Sequence, residues 1–283
     1  MGKIKGYIYN TFKFFLHKGY KKGGVLTESL FYLDPNCILQ GKNVLITGGG
    51  SGIGYATAKR CIESGAKVVI TGRNEEKLRR AVEQIGGDIS YIQWDVTDID
   101  RIEEVIKQSV AFFGTGITCL VNNAGFDERR EYFEIDERFY DDIMNVHVKA
   151  VYFLTQKIIK HMIDENINGS ICMITSQSGL INDFRPYNLA KAAINNYVRG
   201  VAKYGMQNGR IRCNAVAPGV VSTDLYSEFT EVRMQGNSYK SNLPDKRFKR
   251  AEEIAEVVQF CLSDLSKSMT GQILVCDGGK AIL

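Results

Sequence analysis

The sequence places a phenol and an ammonium group four residues apart, at Tyr187 and Lys191. In a helix this spacing puts both side chains on one face, so the positive charge lies near the phenol. A neighbouring cation favours the phenolate and lowers the pKa of a tyrosine from ~10 by roughly 1–3 units. A tyrosine tuned in this way can act as a general acid or base near neutral pH.

The spacing alone is weak evidence, because the chain contains two further pairs with the same separation. Tyr9 and Lys13 precede the predicted domain, and Tyr55 and Lys59 fall in the helix that follows a glycine-rich turn. Only the pair that begins at Tyr187 follows a predicted strand and a nearby serine. We therefore assign the acid–base chemistry to that pair.

The glycine-rich turn Thr47-Gly-Gly-Gly-Ser-Gly-Ile-Gly54 predicts a second chemical feature, a binding site for a dinucleotide. Glycines adopt conformations that bring bare backbone N–H groups close to a ligand. A short apolar strand precedes the turn and an amphipathic helix follows it. The helix therefore directs its positive N-terminus at the same place, which suits a pyrophosphate.

The elements that must position these groups alternate along the chain from residue 41 onward. Apolar strands separated by helix-length segments predict a parallel sheet covered on both faces, with ligands bound at the carboxyl ends of the strands. The predicted fold is α/β, a doubly wound, Rossmann-like parallel sheet of about seven strands in one domain, residues 41–283. The predicted strands are Val44–Thr47, Lys67–Thr71, Ser90–Trp94, Thr118–Asn122, Ser170–Thr175, Ile211–Val216 and Gln272–Val275.

Several motifs in this order resemble the short-chain dehydrogenase/reductase family, in its single-domain branch. The resemblance covers about residues 41–283 and is carried by the co-occurrence of the motifs rather than by any one of them. The motifs are the glycine-rich turn, Asp95-Val96, Asn122-Asn-Ala-Gly125, Asn145, Ser176, Tyr187-x-x-x-Lys191 and Pro218-Gly-Val-Val-Ser-Thr223.

The resemblance implies an NAD(P)-dependent oxidoreductase that interconverts a carbonyl and an alcohol. Tyr187 would exchange the proton with the substrate oxygen, which Ser176 would hold by a hydrogen bond. Lys191 would lower the tyrosine pKa and bind the nicotinamide ribose, and Asn145 would anchor a water molecule in a proton relay. Ser178 competes for the role of Ser176, and Asn145 could instead bond within its own helix. A non-catalytic nucleotide sensor or scaffold on the same fold is the alternative function.

The cofactor is predicted to be NADP(H) rather than NAD(H). Arg73 follows the second predicted strand, and no acidic residue occupies positions 70–74. An arginine there suits a ribose 2′-phosphate, whereas a carboxylate would suit the free hydroxyl of NAD; the alternative is a solvated surface arginine. The predicted cofactor-binding residues are Gly48, Ser51, Gly52, Ile53, Gly54, Arg73, Asp95, Val96, Asn122, Ala124, Gly125, Tyr187, Lys191, Pro218, Gly219, Val221 and Thr223.

Composition excludes several other classes of function. The seven cysteines are scattered and the three histidines have no metal-ligand spacing, so we expect no metal site and a reducing cytoplasm. The net charge of +4 lies within residues 1–40, which leaves the remaining chain neutral and gives no reason to expect a nucleic-acid partner.

The first 40 residues form a predicted basic, amphipathic extension. Apolar side chains recur at helical spacing among lysines in residues 1–24. This pattern is typical of a segment that binds reversibly to an anionic membrane surface. It is equally compatible with packing on the protein's own body or on a neighbouring subunit. The resemblance also implies a small-molecule substrate and assembly as a homodimer or homotetramer.

Overall fold

The computed structural model describes residues 37–222 and 243–282. The predicted helix in residues 1–24 and the predicted cofactor residue Thr223 lie outside these ranges. Among the residues described, no helix is long and apolar enough to cross a bilayer.

A parallel sheet of seven strands forms the centre of the fold and confirms the predicted architecture. Its strand order is β3-β2-β1-β4-β5-β6-β9, and every neighbouring pair runs parallel. The first strand is therefore central, the next two extend the sheet to one edge, and the later strands extend it from β1 to the other edge. The strands are β1 Asn43–Thr47, β2 Lys67–Gly72, β3 Ile89–Gln93, β4 Cys119–Asn122, β5 Ser170–Ile174, β6 Arg212–Pro218 and β9 Ile273–Cys276.

Helices cover both faces of the sheet because the central strands are apolar on both sides. Val44 and Ile46 of β1 belong to one hydrophobic cluster, and Leu45 between them belongs to the other. The first cluster includes residues of α1, α2 and α7, and the second includes residues of α3, α5 and α6. The helices are α1 Gly52–Glu63, α2 Glu75–Ile85, α3 Ile102–Phe113, α4 Glu137–Met144, α5 Ala150–Asp164, α6 Pro186–Asn208 and α7 Ala251–Leu262.

Short helical turns join several of these elements. A π-helical turn, Asn145–Lys149, connects α4 to α5. The 3₁₀ turns are Ile99–Arg101, Tyr132–Glu134, Gln177–Leu180, Asp264–Ser266 and Lys280–Ile282.

One small feature of the sheet structure was not predicted. Strands β7, Val221–Ser222, and β8, Lys249–Arg250, form a separate parallel pair of two residues each. Lys249 is buried and forms an ion pair with Asp245. The basic run at residues 246–250 therefore contains one lysine that is held inside the structure.

Candidate active site

The glycine-rich turn lies between β1 and α1 and approaches a second loop closely. Gly48 and Gly52 have φ angles of +68° and +54°, which side chains rarely tolerate. A Cβ on Gly48 would lie 2.9 Å from the Cα of Ala124, and a Cβ on Gly54 would overlap the carbonyl oxygen of Gly48. The turn is therefore a backbone-lined cradle of the kind that a pyrophosphate requires.

Hydrogen bonds fix this cradle to the loop that follows β4. The Thr47 hydroxyl accepts bonds from the backbone N–H groups of Asn123 and Ala124, each at 3.0 Å. The Asn123 amide donates to the carbonyl oxygens of Thr47 at 2.9 Å and Gly48 at 3.0 Å. Asn123 is thus the residue that joins the two loops. Its place in the motif Asn122-Asn-Ala-Gly125 did not by itself predict this role.

The first asparagine of the same motif points elsewhere. Asn122 is buried, and its amide donates to the hydroxyl of Thr155 in α5 at 2.9 Å. Its side chain braces β4 against the helix. A small recess opens beside it, lined by Thr47, Val96, Asn122, Ala124, Val146, Ala150, Val151 and Leu154.

The end of β2 carries the arginine that suggested the cofactor. The side chain of Arg73 is exposed, and its carbonyl oxygen accepts a bond from the Gln93 amide at 3.0 Å. Lys77, in the first turn of α2, also lies beside the glycine-rich turn, because a Cβ on Gly50 would be 3.5 Å from its Cβ. Two basic residues, Arg73 and Lys77, therefore lie on the segment next to this end of the cradle. Sequence reasoning identified only the first, since Lys77 is adjacent only in the folded chain.

The remaining predicted cofactor residues lie at the ends of other strands. The carboxylate of Asp95, after β3, accepts bonds from the Thr97 backbone N–H at 2.9 Å and its hydroxyl at 2.8 Å. Pro218 ends β6, and the Gly219 N–H donates to the carbonyl oxygen of Cys276 at 3.1 Å. Val221 is buried in β7.

The helix α1 leaves its own N-terminus open toward the cradle. Ser51 is the N-cap residue, but its side chain makes no capping hydrogen bond. Ile53 is half-buried in the first turn of the helix. An uncapped N-terminus retains donors and a positive potential that favour a phosphate group.

Ser176 follows β5 in a tight turn that packs against α6. Its hydroxyl accepts a bond from the Ser178 backbone N–H at 3.1 Å. Gly179, three residues on, makes the approach possible, because a Cβ there would lie 2.6 Å from the carbonyl carbon of Lys191. The Asn195 amide donates to the Gly179 carbonyl oxygen at 3.1 Å.

Tyr187 and Lys191 lie in the first turns of α6, as their spacing predicted. Pro186 occupies the first helical position, where its fixed φ angle and missing N–H are tolerated. The Lys191 ammonium is 5.5 Å from the centroid of the Tyr187 ring and donates to the carbonyl oxygen of Ile174 at 2.9 Å. Because Ile174 ends β5, this bond ties the helix to the strand that leads to Ser176.

The ammonium group of Lys191 is buried away from solvent. Burial lowers its pKa to about 8, and the negative charge of Asp127 opposes part of that change. The ammonium form still predominates at neutral pH. It can therefore act electrostatically on the neighbouring phenol.

Asn145 lies at the first residue of the π-helical turn between α4 and α5. Such turns interrupt the regular helical ladder and are frequent at functional sites. The third residue of the turn, His147, is buried with its ring edge-to-face against Tyr187 at a centroid distance of 5.2 Å. The sequence pattern indicated only that His147 belongs to no metal-ligand cluster, and it did not predict this contact.

No group of three or more potential metal ligands occurs within residues 37–222 and 243–282. The residues brought together at the carboxyl ends of β1, β4 and β5 are instead a backbone cradle, a hydroxyl, a phenol and a buried ammonium. This set can hold a dinucleotide and exchange a proton with a bound oxygen. These are the features of a nucleotide-dependent oxidoreductase.

Comparison with known proteins agrees with this chemistry. Residues 48–281 match the family model described as enoyl-(acyl carrier protein) reductase. The chain is 35% identical over 249 residues to 3-oxoacyl-(acyl-carrier-protein) reductase FabG of Thermotoga maritima, covering 86% of this chain and 99% of that protein. It is 33% identical to glucose 1-dehydrogenase of Gluconobacter oxydans, covering 86% of this chain and 92% of that protein.

Solved structures show the same fold. A putative 2-deoxy-D-gluconate 3-dehydrogenase from Agrobacterium tumefaciens with bound NADP aligns with a TM-score of 0.78 at 27% identity, covering 88% of this chain and all of that one. A short-chain dehydrogenase/reductase from Mycobacterium marinum aligns with a TM-score of 0.80 at 28% identity, covering 87% of this chain and 97% of that one. The chain belongs to the short-chain dehydrogenase/reductase family, and it is an NAD(P)-dependent oxidoreductase.

The buried ammonium predicts a specific dependence of stability on pH. The pKa of Lys191 is about 8 in the folded protein, against ~10.4 for an unfolded lysine. The unfolded chain therefore binds more protons between these values, and the stability of the wild type rises with pH across this window. Below pH 8 the burial penalty is fully present. Lys191→Met should then stabilise the protein at pH 7 by roughly 1–3 kcal/mol. This range is the free energy that corresponds to the pKa change, minus the contribution of the hydrogen bond to Ile174 that the substitution removes.

Urea unfolding of both proteins at pH 7 and pH 10 measures this effect. The difference between Lys191→Met and wild type should shrink as the pH approaches 10. Lys203→Met, which changes an exposed lysine of the same helix, is the matched control and should show no such trend. A destabilised Lys191→Met protein at pH 7 would show that the ammonium is stabilised overall in its site.

Proposed function

We propose that the protein is an NADP(H)-dependent oxidoreductase that interconverts a carbonyl and an alcohol on a small-molecule substrate. The observation that carries this proposal is the assembly of Ser176, Tyr187 and Lys191 at the carboxyl end of β5. That assembly is anchored by the 2.9 Å bond from Lys191 to Ile174. A non-catalytic nucleotide sensor would not need a desolvated ammonium beside a phenol, and this counts against the alternative.

Each side chain has a defined role in the proposed reaction. The hydroxyl of Ser176 donates to the substrate oxygen and holds it. The Tyr187 hydroxyl gives its proton to that oxygen during reduction and takes it back during oxidation. The ammonium of Lys191 favours the phenolate, and its remaining N–H groups would hold the nicotinamide ribose. NADP(H), when bound, supplies or accepts the hydride at the carbonyl carbon.

Asn145 is proposed to anchor the water that returns protons from solvent. Its side chain has no hydrogen bond to another described residue, so its amide is available. Its position at the start of the π-helical turn also interrupts the helical bonding pattern there. Backbone groups released in this way can bind a water molecule.

The preference for NADP(H) rests on charge at the end of β2. The exposed guanidinium of Arg73 and the neighbouring Lys77 present two cations where the adenosine ribose would lie. A guanidinium binds a phosphate by two parallel hydrogen bonds, which a free ribose hydroxyl cannot match. The NADP bound by the Agrobacterium tumefaciens protein supports the hypothesis that this chain also prefers NADP(H).

The oligomeric state and the cellular compartment belong to the same proposal. We propose a homodimer or homotetramer in the cytoplasm, supported by exposed large side chains on α5 and α6. They include Tyr152, Tyr204 and Met206, which are 44%, 55% and 46% exposed. Subunit association commonly buries such side chains.

Tyr187→Phe should abolish turnover while leaving cofactor binding nearly intact, because it removes only the proposed proton donor. Loss of a general acid typically lowers the rate ~10²–10⁴-fold. Steady-state NADPH oxidation across a panel of carbonyl substrates, together with NADPH fluorescence titration, measures both quantities. Tyr55→Phe is the matched control, since Tyr55 belongs to another pair with the same spacing and should lose no activity. Near-normal turnover in Tyr187→Phe would refute the proposed role.

Arg73→Asp should erase or reverse the preference for NADPH over NADH. A charge-assisted contact to phosphate contributes about 1.5–3 kcal/mol, or roughly 10- to 150-fold in affinity. Titrating both cofactors against wild type, Arg73→Asp and Arg79→Asp separates the local contact from general charge, because Arg79 lies in α2 and pairs with Glu83. Equal affinity of the wild type for NADH and NADPH would show that Arg73 does not select the cofactor.

The extension of residues 1–40 is proposed to act apart from the active site, through its basic segment 1–24. Each lysine near an anionic membrane surface contributes ~1 kcal/mol, and salt weakens that attraction. Sedimentation with anionic liposomes should therefore show salt-sensitive binding that is lost in a protein starting at Leu39. Loss of oligomeric mass on truncation, without liposome binding, would indicate subunit docking. No change in either measurement would exclude both ideas.

A further inference from the structure

The imidazole of His147 is an ionisable group packed beside the proposed proton donor, and the proposed reaction does not use it. It lies in the third position of the π-helical turn and is only 2% exposed. A histidine buried to this degree has lost its hydration and must find its stabilisation in local contacts.

Those contacts begin at the loop that follows β4. The Nε2 atom of His147 lies 2.8 Å from the carbonyl oxygen of Phe126 and 3.2 Å from its backbone nitrogen. The neighbouring Gly125 provides the space, because a Cβ there would lie 2.5 Å from the Cε1 atom of the ring. Imidazole and glycine therefore fit each other, and the loop is fastened through the backbone at Phe126.

The ring is neutral in this position. Burial, followed by the nearby charge of Lys191, lowers its pKa to about 3, although the contact with Phe126 opposes this change. The Nδ1 atom is buried without a hydrogen-bond partner. The 2.8 Å contact with a carbonyl oxygen requires a proton on Nε2, which therefore donates to the Phe126 carbonyl and does not accept from the Phe126 N–H. The unprotonated Nδ1 is left with only an unpaired lone pair.

The same ring also contacts Tyr187. Their planes meet at 89° with centroids 5.2 Å apart, which is a favourable edge-to-face arrangement. The Lys191 ammonium lies 5.5 Å from the centroid of the same tyrosine ring. One histidine therefore bridges the backbone of the loop after β4 and the aromatic ring of the proposed proton donor.

We propose that His147 is a positioning residue that fastens the Phe126 backbone to the ring of Tyr187 and so aligns the tyrosine hydroxyl for proton transfer. This inference rests on the function proposed above. It assigns no proton transfer to His147 itself, because the neutral ring stays neutral throughout the working pH range. A displacement of a reacting group by about 1 Å can reduce a rate roughly 10²-fold, so a modest change in this contact is sufficient to matter.

Two variants separate the effect of the contact with the Phe126 backbone from that of the contact with the Tyr187 ring. His147→Gln retains an amide that can donate to the Phe126 carbonyl oxygen but removes the ring from Tyr187. His147→Phe retains a ring against Tyr187 but removes the donor to Phe126. We expect both variants to lower kcat roughly 10- to 100-fold while KM and the Kd for NADPH change less than about threefold.

A kinetic isotope effect tests whether alignment of the reaction is what changes. With NADPH deuterated at C4 on the transferred side, the effect on kcat should be larger in both variants than in wild type, because chemistry becomes slower relative to product release. Destabilisation alone would lower the amount of active protein and leave the isotope effect unchanged.

Hydrogen exchange provides a readout that needs no turnover. Amides of residues 124–128 should exchange faster in His147→Phe than in His147→Gln, because only the glutamine can still fasten Phe126. If no carbonyl compound is reduced by the wild type, the proposed function fails, whereas this exchange result still decides whether His147 fastens the loop.

His161→Gln is the matched control. Its Nε2 atom accepts the backbone N–H of Ile117 at 3.1 Å beside Gly116, so it also joins a helix to a loop backbone, but at the amino end of β4. Its kcat and isotope effect should equal those of wild type. Folded His147→Gln and His147→Phe proteins with kcat within twofold of wild type would overturn the proposal. If His147→Phe does not fold, His147→Gln decides by kcat and isotope effect.

Discussion

The arrangement of the candidate active site depends on one buried cation. The ammonium of Lys191 has lost most of its hydration, and its stabilisation comes from the Ile174 carbonyl, the face of Tyr187 and the charge of Asp127. Because the carbonyl belongs to the last residue of β5, the hydrogen bond fixes the position of α6 along the direction of that strand. Ser176 lies two residues further along the same chain. The relative positions of hydroxyl, phenol and ammonium therefore follow from a single anchor.

A second constraint is the close approach of backbone segments at glycine positions. The cradle after β1 meets the loop after β4 at Gly48, and the serine turn meets α6 at Gly179. In both places a side chain would collide with backbone atoms, so these segments could not approach without glycine. Hydrogen bonds from Asn123 then hold the first contact in place. The site is assembled mainly from backbone surfaces, on which a few side chains carry the chemistry.

The relatives are named after different substrates, and the arrangement of the site offers a physical reason for this difference. The groups that would hold the nucleotide and move the proton lie at strand ends and in the first turns of helices. The segments after β4 and β5 make further contacts: Tyr132 and Phe184 meet edge-to-face with centroids 4.9 Å apart, and Asp183 pairs with Arg185 at 2.5 Å. Loops tolerate substitution better than the core, so a constant frame can carry different loops for different substrates.

The sequence by itself determined the parts of this protein that depend on local order. Alternating strands and helices specified the seven-stranded parallel sheet, and glycine spacing specified the cradle. The four-residue interval specified that Tyr187 and Lys191 share a helix face. Strand ends shifted by one or two residues, as with β6, which continues to Pro218 because β9 offers a pairing partner there.

Only the tertiary structure decided which side chains meet across the chain. It directed Asn122 to Thr155 and Asn123 to the glycine-rich turn, although both belong to one motif. It also formed the β7–β8 pair, set Lys77 beside the cradle and packed His147 against Tyr187. These contacts join residues far apart in sequence. Their geometry follows from how helices pack on the sheet, because local spacing fixes which face of an element a residue occupies and leaves open what that face will contact.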